Sequence, residues 1–267
     1  MDQWEIRGCS GIDMRKVIGI VGEGPTDYMV IKEVIDHITG EVNEYRRLQP
    51  EPDMAGRFGN GWKGVWRWCE TNSDILDKVF HEVTPQLDLL VVQMDADVSR
   101  KEREVHCLCG LAECGDRPKN HPLKCVKAID GRCPVMLPCG KHVQNSRGYE
   151  EHLEKLIRKW LGEHADKEDI LITVPCDSTD AWIVAAYQDY YDDVEKIENP
   201  WESVIARKKD YHGIRIPGKK KRASIYSQLL SRLCGQWESV VEQCYSARSF
   251  DDKVKRMLGA ADLNLKG

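Results

Sequence analysis

The sequence has no apolar run that approaches the roughly 20 residues needed to cross a bilayer. Apolar runs such as Val17–Val21 and residues 89–92 are four or five residues long, so a transmembrane helix is not expected. The first residues, MDQWEIRGCSGID, have neither the basic start nor the apolar stretch of a secretory signal, which predicts a cytoplasmic protein. No Gly-Lys-Ser/Thr follows the first apolar run, which excludes a P-loop. No internal repeat is visible, and the composition excludes disordered, collagenous and coiled-coil chains. What remains is a chain of 267 residues, 41% hydrophobic and 31% charged, long enough for one large domain or two small ones.

Apolar periodicity predicts alternating strands and helices. Residues 16–21 are rich in β-branched apolar side chains and close on Gly22-Glu23-Gly24-Pro25, so they read as a buried strand entering a tight turn. Thr26 is the expected N-cap of the helix that follows, in which Val30, Val34, Ile35 and Ile38 share a face until Gly40. Residues 42–48 are a second expected strand, and residues 62–82 are expected to be helical. Residues 89–94 read as a strand covered on both faces and end in Asp95-Ala96-Asp97. Helix is expected again over residues 149–161, strand over 170–174, and helix over 178–187, 223–247 with a break, and 250–258. This alternation predicts an α/β fold with a mostly parallel sheet between helical layers. The expected organisation is a core over residues 14–97, a Cys/His-rich insertion over 98–145, a second core part over 146–198 and a basic helical segment over 199–267.

Glu23 follows the first strand, and Asp95 and Asp97 follow the central one. Ligands of open parallel sheets bind at the carboxyl ends of the strands, so these acids are expected to share a crevice. Three carboxylates held together need raised pKa values or a cation, and oxygen donors suit Mg²⁺ or Mn²⁺. In this pattern, VIGIVGEGPTD over residues 17–27 and LLVVQMDAD over residues 89–97, the chain resembles the Toprim domain, in particular the Toprim nucleases of the OLD (overcoming lysogenization defect) type. The resemblance implies that Glu23 is a metal ligand or general acid/base and that Asp95 and Asp97 hold Mg²⁺. It gives Asp27, four residues after the glutamate, a place among the metal ligands, although a helix-dipole role serves that residue equally well. Asp177 and Asp180, in PCDSTDAW, are the weaker candidates for a second metal, Asp180 against a plain helix-start residue. The resemblance further implies a nuclease acting on DNA or RNA, a setting in anti-phage defence and an ATPase as a separate partner. Two other readings fit the same acids: a non-catalytic nucleic-acid-binding or interaction subunit on a Toprim scaffold, and a nucleotide-sugar glycosyltransferase.

Six of the eleven cysteines fall within residues 107–139. Cys107, Cys109, Cys114 and Cys125 are the candidate ligands of a structural Zn²⁺, weighed against free thiols. The net charge of -5 hides a polarity: residues 199–267 carry 14 Lys and Arg against 7 Asp and Glu, net +7, leaving -12 for residues 1–198. Lys208 and Lys209, then Lys219, Lys220, Lys221 and Arg222, form two basic blocks expected to grip a nucleic-acid backbone. The nearby Trp201, Tyr211 and Tyr226 are expected in the core more than on bases.

Overall fold

A computed structural model describes residues 15–51, 58–82, 84–100, 145–164, 166–187, 193–207 and 210–259. The zinc candidates Cys107, Cys109, Cys114 and Cys125, and the basic residues Lys208 and Lys209, lie outside them. The first strand, β1 (Val17–Val21), is buried throughout. It leads into α1 (Pro25–Thr39), whose N-cap is Gly24 rather than Thr26. Pro25 supplies the fixed φ of a first helical position, so the helix starts two residues earlier than the threonine suggests, and Thr26 is buried in its first turn. Gly40, at φ 70°, ends the helix in the left-handed conformation.

Strand β2 (Glu44–Gln49) is followed by α2 (Trp62–Asn72), a 3₁₀ turn (Ser73–Ile75) and α3 (Leu76–Glu82). Strand β3 (Leu89–Gln93) runs into the short α4 (Asp97–Arg100). Helix α5 (Ser146–Leu161) is capped by Asn145, whose side-chain oxygen accepts from Gly148 N at 2.8 Å, and precedes β4 (Ile170–Thr173). The remaining helices are α6 (Asp180–Ala186), α7 (Pro200–Ala206), α8 (Ala223–Gly235), α9 (Trp237–Gln243) and α10 (Tyr245–Leu258).

The four strands form one sheet in the order β2-β1-β3-β4, every neighbouring pair parallel. Side chains alternate across it, so two cores form. Ile18, Ile20, Leu89, Val91 and Leu171 pack with α1, α6 and the C-terminal helices, whereas Val21, Leu90, Val92, Ile170 and Ile172 pack with α2, α3 and α5. Helices α7 to α10 share the first of these cores. Trp201, Leu229 and Phe250 sit in one cluster with Val30 and Ile31, and Trp182 stacks on Phe250 with ring centroids 5.5 Å apart. The basic segment is thus an integral layer of the domain, and Trp201, Tyr211 and Tyr226 are core residues. Among the described residues no helix is long and apolar enough to cross a membrane.

The loop entering α2 is packed too tightly for side chains. A Cβ on Gly64 would overlap the Gln49 side-chain amide and the Gly59 carbonyl, two groups already hydrogen-bonded to each other. Gly64→Ala is therefore expected to cost about 1–3 kcal/mol of stability by chemical denaturation, with the loop displaced. An unchanged midpoint would show that the loop moves without penalty.

Candidate active site

The order β2-β1-β3-β4 means the chain leaves β1 towards one edge and returns past it to β3. Between the carboxyl ends of β1 and β3 the connections diverge, and this is where an open parallel sheet forms its crevice. Glu23 stands after β1 and Asp95 after β3, bridged by Asp95 N donating to Glu23 Oε1 at 2.8 Å. The turn carrying Glu23 is held against α2 by Gly61 N, which donates to the Glu23 carbonyl at 2.8 Å. Gly61, at φ 74°, is the N-cap of α2, and the Trp62 N–H also reaches the Glu23 carboxylate. Asp97 is the first residue of α4, and Asp27 lies in the first turn of α1.

The second half of the site comes from α6 and the C-terminal segment. Thr179 donates its hydroxyl to Asp27 Oδ1 at 2.7 Å. Asp180, 1% exposed, accepts from the Tyr226 hydroxyl and pairs through Oδ2 with Lys221 Nζ at 2.6 Å. Asp177, in the same PCDSTDAW stretch, instead accepts from Asn199 N at 3.1 Å. Glu23, Asp27, Asp95, Asp97 and Asp180 therefore meet, whereas the sequence candidate Asp177 is turned to the Asn199 backbone; Asp180 is both the first residue of its helix and a member of the cluster. Lys221 turns inward to the acids, while Lys219, Lys220 and Arg222 are exposed.

Charge crowding shows in the proton affinities. Burial raises Glu23 well above the usual carboxylate range, and the charges of Asp97 and Asp27 add to it, against the backbone donors of Asp95 and Trp62. Burial likewise raises Asp95, with Asp27, Glu23 and Asp97 reinforcing the shift and Lys221 opposing it. Asp27 is pushed up to about 6, again chiefly by burial, against the Thr179 hydroxyl and Lys221. Burial disfavours the Lys221 ammonium, yet Asp180, Asp95 and Asp27 outweigh it and raise its pKa.

Among the described residues, no three acids stand close enough to enclose one metal ion as they are now turned. Glu23 Oε1 is engaged by Asp95 N, and Asp180 by Lys221. The donor set nevertheless fits a hard cation, because it is all oxygen and five carboxylates face one ammonium. A divalent ion would relieve the repulsion that now favours protonation.

A pH signature follows. Acids with raised pKa values in the fold hold protons that the unfolded chain releases near pH 4, so their contribution to stability falls as pH rises through the folded values. A cation competes with those protons and binds better above them. Excess Mg²⁺, at roughly a hundred times its dissociation constant, is expected to raise the melting temperature by about 5–10 °C at about pH 8 and hardly at all near pH 5. Equal shifts at both pH values would contradict proton-linked cation binding.

The sequence alone did not place Thr179, Tyr226 or Gln93 at the site, Tyr226 being read there as a core aromatic. The first two had no local signal. Gln93, fully buried at the end of β3, was concealed within the apolar stretch 89–94, where a lone amide beside Asp95 was the available clue. Comparison of the chain with family models, curated proteins and solved structures finds no match, so its functional assignment rests on the chemistry of this site.

Proposed function

We propose that the protein is a Toprim-type nuclease that uses Mg²⁺ or Mn²⁺ to hydrolyse phosphodiester bonds. The observation that carries this reading is the meeting of five carboxylates and one lysine at the divergence of β1 and β3, beside an exposed basic loop.

The loop before α8 has two faces. Trp201 Nε1 donates to the Lys219 carbonyl at 2.8 Å, and Lys221 reaches Asp180, which together pin the loop to the core. Lys219, Lys220 and Arg222 point to solvent from this pinned loop and would bind backbone phosphates next to the acids. Glu23, Asp95 and Asp97 would hold one cation, with Asp27 and Asp180 as the candidates for a second. Such an ion, when bound, polarises the scissile phosphate and lowers the pKa of its water. Asp27, which burial raises to about 6, would exchange its proton for the ion near neutral pH. Lys221 would offset the charge of Asp27, Asp95 and Asp180, so that an anionic substrate can approach.

Supercoiled plasmid, single-stranded DNA and RNA incubated with purified protein test this reading. Cleavage in Mg²⁺ or Mn²⁺ that stops in chelator is the expected result. Binding without cleavage under all these conditions would replace the reading with a non-catalytic subunit, and turnover of a nucleotide sugar would replace it with a glycosyltransferase. A setting in anti-phage defence and a separate ATPase partner belong to the same proposal.

A further inference from the structure

Gln93 is the last residue of β3, in register with Thr173 of β4, and its side chain is fully buried. Its amide reaches across to the end of β1. Gln93 Oε1 accepts from Glu23 N at 3.0 Å, and Gln93 Nε2 donates to Asp95 Oδ1 at 2.7 Å. With Asp95 N donating to Glu23 Oε1 at 2.8 Å, the three residues close a hydrogen-bonded circuit across the switch point. Gly22 makes room for it, since a Cβ there would lie 3.0 Å from Gln93 Oε1.

A neutral amide of this length is the group the circuit needs. It accepts with one atom and donates with the other, whereas a carboxylate could not donate to Asp95 and an ammonium could not accept from Glu23. The circuit also commits one oxygen of each acid, Glu23 Oε1 and Asp95 Oδ1, to protein donors.

Building on the nuclease reading, we infer that Gln93 is a positioning residue. By tying the Glu23 backbone to the Asp95 carboxylate, it sets the orientation in which the two acids receive a divalent ion. Groups that orient metal ligands typically change metal affinity or activity by about 10–100-fold when removed.

The test uses full-length Gln93→Met, which keeps the bulk and removes both polar contacts, and Gln93→Leu, which removes them with a shorter branched end. Gly22→Ala, which crowds Oε1 without altering any polar group, serves as a milder variant should the others fold poorly. Mg²⁺ binding by calorimetry and the Mg²⁺ concentration for half-maximal cleavage are read beside the melting temperature. Both glutamine variants are expected to need about 10–100-fold more Mg²⁺, with most of the maximal rate recovered at saturating ion and Gly22→Ala shifted less in the same direction. A folded Gln93→Met with wild-type Mg²⁺ dependence overturns the inference and leaves the nuclease reading standing. A wild-type protein that binds no divalent ion overturns the nuclease reading, and this one with it.

Discussion

Asp95→Asn is expected to abolish metal-dependent cleavage while making the metal-free protein more stable. The variant removes a charge from the cluster but keeps an oxygen that can accept from Gln93 Nε2, so the fold retains this hydrogen bond. A cation at a transferring phosphoryl group contributes several kcal/mol, which puts the expected loss in rate at roughly a thousandfold or more. The stability change has the opposite sign. Burial and three neighbouring acids raise the Asp95 pKa, so the folded state disfavours its charged form, and that cost is fully present above the raised value and absent near pH 4. In chelator at about pH 8, the variant is expected to melt roughly 2–6 °C above the wild type, and near pH 4 the two should coincide. Glu23→Gln should behave similarly, because burial and neighbouring charges raise its pKa as well. Asp74→Asn, an exposed change in the 3₁₀ turn after α2, serves as the control. Undiminished cleavage in both site variants would remove the proposed site. Abolished cleavage together with reduced stability would instead mark the acids as structural.

The second large effect concerns the lysine that turned inward. Lys221→Met is expected to lower stability by about 3 kcal/mol, or roughly 6–12 °C, because it leaves a nearly inaccessible carboxylate without its counter-charge. This is the low end for a broken buried pair, since Asp180 is 1% exposed at the side chain but Lys221 is 36% exposed and partly solvated. The double variant Asp180→Asn, Lys221→Met should recover most of the stability, since both charges then leave together. Non-recovery would mean that the Lys221 stem, rather than the ion pair, carries the stability. The neighbours separate cleanly from this behaviour. Alanine at Lys219, Lys220 or Arg222 should leave melting unchanged, weaken nucleic-acid binding and reduce the slope of its salt dependence by about one for each phosphate that is no longer neutralised.

These two residues also mark how far a linear reading reaches. Asp95 was legible because an acid that ends an apolar strand must find solvent or a partner, and both the strand and its end are local patterns. Lys221 was legible only as one of four consecutive basic residues. Its distinct role depends on the carbonyl of Lys219 being held by Trp201 and on α6 presenting Asp180 beneath the loop. Nothing within the basic run distinguishes the residue that faces inward. Thr26 shows the reverse case, in which a residue type favoured at helix starts lost the position to Gly24-Pro25, whose backbone geometry suits it better.

By itself, the sequence determined the alternation of strands and helices, because burial of one face imposes a period that short segments reveal. It also determined that acids would stand at the ends of β1 and β3, because those positions follow directly from the strand boundaries. Only the tertiary structure decided that β1 and β3 are neighbours at the centre of the sheet, and this adjacency joins Glu23 to Gln93 and Asp95 across some 70 residues of chain. It likewise decided that Asp27, Asp180 and Lys221 close the cluster from three separate elements. The physical reason is that periodicity reports whether a residue is buried, whereas the partner it meets there depends on strand order and helix packing, which no local stretch encodes.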